Sequence, residues 1–171
     1  MTLHRIRRRQ WLRQAEGYLE LGMPQHALDA LARYGDLSTM PGEACFWQGE
    51  ALRALGRHEE ALVALARAAE KLPSRAVEIG LAMGWCHKRT GRVDLAIADL
   101  ESAAATDPEN ALILYNLACY WSLVGNKRQT LLFLSQALSL DPSFREQIAD
   151  ESDFDNVRSD PAFIALATVS I

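Results

Sequence analysis

The sequence predicts an all-α fold made of a short motif repeated in tandem. Two observations carry this. Gly22, Gly56, Gly91 and Gly125 are spaced by 34, 35 and 34 residues. At fixed offsets from each glycine, residues of one size class recur in all four units. Internal periodicity of this length is the mark of a solenoid, in which no unit buries its apolar face alone.

Seven residues before each glycine stand Ala15, Gly49, Gly84 and Ala118, all small. Four before stand Tyr18, Leu52, His87 and Trp121, all large. Five after stand Ala27, Ala61, Ala96 and Thr130, and nine after stand Leu31, Leu65, Leu100 and Leu134. Twelve after stand Tyr34, Ala68, Ala103 and Ala137, and seventeen after stand Thr39, Pro73, Pro108 and Pro142. Small residues let two helices approach, and the large residue with the leucine fills the space between them. Glycine suits a tight turn between the helices. Proline ends the second helix, because it cannot continue one.

These signals place first helices near 8–21, 42–55, 76–90 and 110–124, and second helices near 24–35, 58–72, 93–106 and 127–140. No period-two alternation persists long enough for a strand. The one-residue insertion between Gly56 and Gly91 belongs in the loop around Pro73 to Arg75. The first unit departs most, with Tyr34 where the others have alanine and Thr39 where they have proline.

A 34-residue period with this order of residues resembles the tetratricopeptide repeat. The resemblance covers about residues 8–142, in four units near 8–41, 42–75, 77–110 and 111–144. It implies a right-handed α-α superhelix. A basic start, residues 1–7, precedes the repeats, and a helical cap, residues 143–171, follows them. In the cap, Phe144, Ile148, Phe154, Val157, Phe163 and Leu166 could cover the open end of the fourth unit. Asp153, Phe154, Val157, Arg158, Asp160, Pro161 and Phe163 also resemble a DxDFxxLRxDPxF stretch that follows such arrays in bacterial repeat proteins.

In this family the first helices line a concave groove that holds an extended peptide or a partner helix. The resemblance places Leu12, Glu16, Phe46, Glu50, Arg53, Leu81, Trp85, Lys88, Tyr115 and Cys119 on that face. Phe46, Trp47, Trp85 and Tyr115 would form an aromatic strip, a residue type enriched at binding hot spots. Glu16, Glu43, Glu50 and Glu78 would lie on one side, and Arg53, Lys88 and Arg89 on the other. Such a groove suits a mostly apolar peptide with charges of both signs, basic ones favoured in the first half. The same aromatics could instead be core packing, and the glutamates a solvated face. Co-chaperones of this family hold a client's C-terminal carboxylate with a lysine, two asparagines and further basic residues. Here Leu12, Glu16, Trp47, Glu78 and Ala82 occupy those places, so that activity is not expected.

Composition narrows the function classes. Of 171 residues, 49% are hydrophobic and 23% charged, as in a folded globular chain. The formal net charge of -4 argues against nucleic acid as a partner. No apolar run is long enough for a membrane span. Cys45, Cys86 and Cys119 form no CxxC pair, which fits a reducing, cytoplasmic setting. The Arg-rich start lacks the apolar stretch of a secretory signal, and the repeat begins too soon for an organelle transit segment.

Catalytic groups do not converge. His4, His26, His58 and His87 are scattered, and adjacent Cys86 and His87 point about 100° apart on a helix. No HxxxH, HExxH or CxxC spacing supports a metal, no cofactor motif appears, and Asp153 with Asp155 reads as a surface pair. A non-catalytic module binding a protein or peptide is therefore expected. The alternatives are a small chaperone similar to secretion chaperones, or a self-assembling unit. In the latter, Arg5, Arg7, Arg8 and Arg9 would meet the acidic C-terminal segment of another copy in weak head-to-tail contacts.

Overall fold

The computed structural model describes residues 2–168, without the side chains of residues 2–4 and Leu37. The His4 side chain and the last three positions of the expected cap thus lie outside the described residues. Within them the chain is all helical, with no strand. The helices are α1 (Thr2–Glu20), α2 (Pro24–Leu31), α3 (Gly42–Ala54), α4 (His58–Lys71), α5 (Ala76–Arg89), α6 (Val93–Thr106), α7 (Ala111–Leu123), α8 (Lys127–Leu140), α9 (Arg145–Ile148) and α10 (Pro161–Thr168).

The turns between α1 and α2, α3 and α4, α5 and α6, and α7 and α8 share one cause. Gly22, Gly56, Gly91 and Gly125 take φ of 68°, 73°, 77° and 76°. A side chain there would strain the backbone, which is why the repeat is legible as a glycine spacing. Helix starts are set by different means. Pro24 opens α2, while Asn110 and Asn126 cap α7 and α8 by accepting the backbone N–H groups of Ile113 and Gln129. Pro73 and Pro142 lead short 3-10 turns after α4 and α8.

The chain forms two compact units, one up to Thr90 and one from Gly91 on. In the first, α1 packs on α2 and α3, and α3 packs on α4 and α5. Its core runs from Ala15 through Leu31, Cys45, Leu52 and Leu65 to Ile79 and Cys86. The repeat's small positions let this core close. A Cβ built on Gly49 would stand 2.6 Å from Leu65 Cγ, inside the packing distance.

In the second unit, α7 packs on α6 and α8. The segment after Pro142 folds back on the same helices: the 3-10 turn at Ser152–Phe154 meets α7, and α10 meets α8 and α9. Phe144, Ile148, Phe154, Val157 and Phe163 are buried, and Leu166 is half-buried. Phe154 lies 5.2 Å from Phe163 between ring centroids.

Two boundaries differ from the sequence reading. α1 starts at Thr2 instead of near residue 8, since Arg-rich sequence without glycine or proline propagates a helix readily. α2 stops at Leu31 instead of near 35 and passes into a 3-10 turn at Ala32–Tyr34. Tyr34 is the cause. Where the other units have alanine, its ring packs edge-on against Trp11 at 5.4 Å, and its hydroxyl donates to the Arg8 carbonyl. Gly35, at φ 85°, then ends the turn.

Candidate functional site

The ten residues expected on the first-helix face fall into three settings. In the first unit, Leu12 and Glu16 on α1, Glu50 and Arg53 on α3, and Leu81, Trp85 and Lys88 on α5 are half-buried. Phe46 on α3 is buried, at 5% exposure. In the second unit, Tyr115 and Cys119 on α7 are buried, at 3% and 2%. These last two present almost no surface. The Tyr115 ring stacks on Phe144 at 4.6 Å and meets Phe154 edge-on at 5.7 Å, so the C-terminal segment covers it.

Trp85 is the centre of the arrangement in the first unit. The Arg53 guanidinium lies 5.3 Å from the centre of its ring system, and that of Arg89 lies 5.6 Å away. The His58 ring, at the start of α4, meets it edge-on at 5.1 Å. Arg53 is itself held. It donates through Nε and Nη2 to both carboxylate oxygens of Glu50, at 3.0 and 2.7 Å. That fork-to-fork pair fixes the guanidinium plane and raises the Arg53 pKa further above its ordinary value. One turn of α3 thus positions an ion pair, and the ion pair positions the face of an aromatic on the next first helix.

A second cation-aromatic group lies at Arg75. Its guanidinium stands 5.0 Å from the Phe46 ring and 5.1 Å from the Trp47 ring. Phe46 and Trp47 pack on each other at 4.9 Å. Arg75 also approaches Glu78 at 3.8 Å. Guanidinium over an aromatic face is attracted by the ring quadrupole, and more strongly where water is partly excluded.

Arg75 and His58 were not among the expected site residues. Arg75 falls in the inserted loop, where repeat offsets assign no face. The insertion itself was the available signal, because it placed an arginine just before a first helix. His58 sits at the N-terminus of a second helix, and nothing in its spacing pointed to Trp85. The reading of Asp153 with Asp155 as a surface pair needs correction: Asp155 is exposed, but Asp153 is buried at 5% exposure. It enters at the base of the 3-10 turn that packs against α7.

The chemistry on this face is that of contact. It offers a half-buried indole, two guanidiniums and flanking carboxylates and ammonium, which suit apolar and charged side chains of a polypeptide. No helix among the described residues is long and apolar enough to cross a membrane.

Comparisons with known proteins bear on the fold. A crystal structure of MamA superposes with a TM-score of 0.72 at 19% identity, over 81% of this chain and 81% of that one. A MamA RS-1 double mutant gives 0.73 at 21% identity, over 93% and 88%. YrrB, described as a TPR protein with an unusual peptide-binding site, gives 0.66 at 25% identity, over 75% and 66%. No curated protein matches the chain. Residues 12–76 and 81–120, more than half of the sequence, match the tetratricopeptide-repeat pattern. With the glycine turns, the paired helices and this match together, the chain belongs to the tetratricopeptide-repeat family.

Proposed function

We propose that the chain is a non-catalytic docking module that binds a peptide or helix of a partner protein across α1, α3 and α5, with Trp85 as the anchor. The fold supports a protein-interaction scaffold, and YrrB, similar over three quarters of this chain, is a peptide-binding member of the same kind.

The observation that carries the reading is the setting of Trp85. The indole is half-buried yet held by Arg53, Arg89 and His58. An aromatic already fixed in one pose loses little conformational entropy on binding. Tryptophan and arginine are also the residues that most often dominate interface energies. Phe46 contributes from beneath, as packing that holds Trp47 and Arg75 in place. Around this centre, Glu16 and Glu43 favour basic partner side chains near α1 and α3, and Lys88 with Arg89 favours acidic ones near α5.

Selection of a displayed random-peptide library against the intact chain tests this. Peptides so selected should bind Trp85→Ala about 30-fold more weakly, the loss expected for a hot-spot truncation near 2 kcal/mol. Helical circular dichroism should stay unchanged. Equal affinity for a well-folded Trp85→Ala protein would remove Trp85 from the binding surface.

A further inference from the structure

In the second unit, Cys119, Glu151 and Asp153 bring one ligand atom each to within 4.8 Å of one another. The three residues come from two elements. Cys119 lies on α7, and the two carboxylates lie at and just before the 3-10 turn that packs against it. Cys119 and Asp153 are buried, at 2% and 5% exposure, while Glu151 is half-buried and opens the cluster to solvent. Glu151 Oε1 accepts the Asp153 backbone N–H at 3.1 Å, which fixes its carboxylate over the turn.

A second observation is independent of the cluster. Tyr115 stands one turn before Cys119 on the same face of α7, and its hydroxyl is buried without a hydrogen-bond partner. An orphaned hydroxyl in a core is costly unless something fills the place. Cys119, Glu151 and Asp153 lie close enough to interact with it electrostatically. A tyrosine hydroxyl can donate one hydrogen bond, and this donor is not used among the described residues.

We propose that Cys119, Glu151 and Asp153 bind a divalent cation of the zinc class, with the Tyr115 hydroxyl donating to the water that completes its shell. One thiolate and two carboxylates match a borderline-soft cation, and exclude magnesium or calcium, which take oxygen alone. Tetrahedral coordination at about 2.0–2.3 Å needs the donors about 3.3–3.8 Å apart, so side-chain rotation of roughly 1 Å closes the site. As the sulfur-metal bond forms, the Cys119 thiol proton leaves to solvent. The ion clamps the 3-10 turn to α7 and stabilises the native state by linkage.

Titration of the metal-stripped full chain with Co²⁺, and competition with Zn²⁺, tests the site. One Co²⁺ per chain should bind with a sulfur-to-cobalt charge-transfer band that Zn²⁺ abolishes, and Zn²⁺ should raise the melting temperature. The band should survive in Cys45→Ser/Cys86→Ser, vanish in Cys119→Ser, and weaken in Glu151→Gln. Tyr115→Phe should keep the band and lose about tenfold in affinity, as a group acting through a bound ligand does. No saturable band in the native chain, or a band that persists in Cys119→Ser, would overturn the proposal. Should Cys119→Ser fail to fold, an unchanged band in Glu151→Gln would overturn it equally.

Discussion

Gly49 shows how a single missing methyl group sets the approach of two helices. The closest atoms to a Cβ at this position are Leu65 Cγ and Cδ2, at 2.6 and 2.7 Å. Leu65 is fully buried, so it has nowhere to retreat. Gly49→Ala should therefore lower the urea midpoint by the equivalent of about 1–3 kcal/mol, the usual cost of overpacking a close-packed core. A midpoint at or above that of the native chain would mean that α3 and α4 have slack the structure does not show. Trp85 lies at the other extreme: it is large, half-buried, and held by Arg53, His58 and Arg89 from three helices. Substitution at Gly49 should act on folding, whereas the proposed docking role predicts that Trp85→Ala acts on binding.

At the scale of elements, Arg158 holds the C-terminal segment together. It donates to the carbonyls of Ile148, Ala149 and Glu151 at 3.3, 3.0 and 2.8 Å, and pairs with Asp155 at 3.1 Å. Asp160 then starts α10 by accepting the N–H groups of Ala162 and Phe163, and ion-pairs with Lys127 of α8 at 2.7 Å. That pair holds the Asp160 carboxyl below its ordinary value of 3.8. The spacing of Arg158, Asp160, Pro161 and Phe163 thus has a physical cause in each place. Arg158→Ala removes a donor from each carbonyl, and although Ile148 and Glu151 still accept the N–H groups of Glu151 and Phe154, it should cost about 1 kcal/mol, discounted for a partly exposed side chain. Amide hydrogen exchange should rise first in residues 145–160. Exchange that rises equally throughout the second unit would show that the segment has no local stability of its own.

Element positions were largely legible before any coordinates. α3 and α5 start where the offsets put their starts, and α6 and α8 match the expected spans throughout. Glycine turns and proline stops are local, backbone-determined signals, so they survive in sequence. α2 was less legible because Tyr34 acts through a distant partner, the Arg8 carbonyl. The candidate site was legible only in part, for a related reason. An offset gives the face of a helix, but not what lies across from it. It assigned Tyr115 and Cys119 to the first-helix face of α7, yet both are buried, Tyr115 beneath Phe144 and Phe154. The acid-thiol cluster escaped for the same cause, since α8, a 3-10 turn and α9 separate Cys119 from Asp153 in sequence.

For the molecule as a whole, the two compact units differ in chemistry. The unit up to Thr90 carries the half-buried cation-aromatic face, and the unit from Gly91 carries an aromatic core closed by its C-terminal segment. The central claim is that docking belongs to the first of these faces. Backbone chemical-shift mapping of the isotopically labelled chain, titrated with a peptide selected against it, tests that claim most directly. The largest shifts should fall on α1, α3 and α5, at Glu16, Glu50, Arg53, Trp85, Lys88 and their neighbours. Shifts concentrated on α2 and α4, or on the second unit, would contradict it.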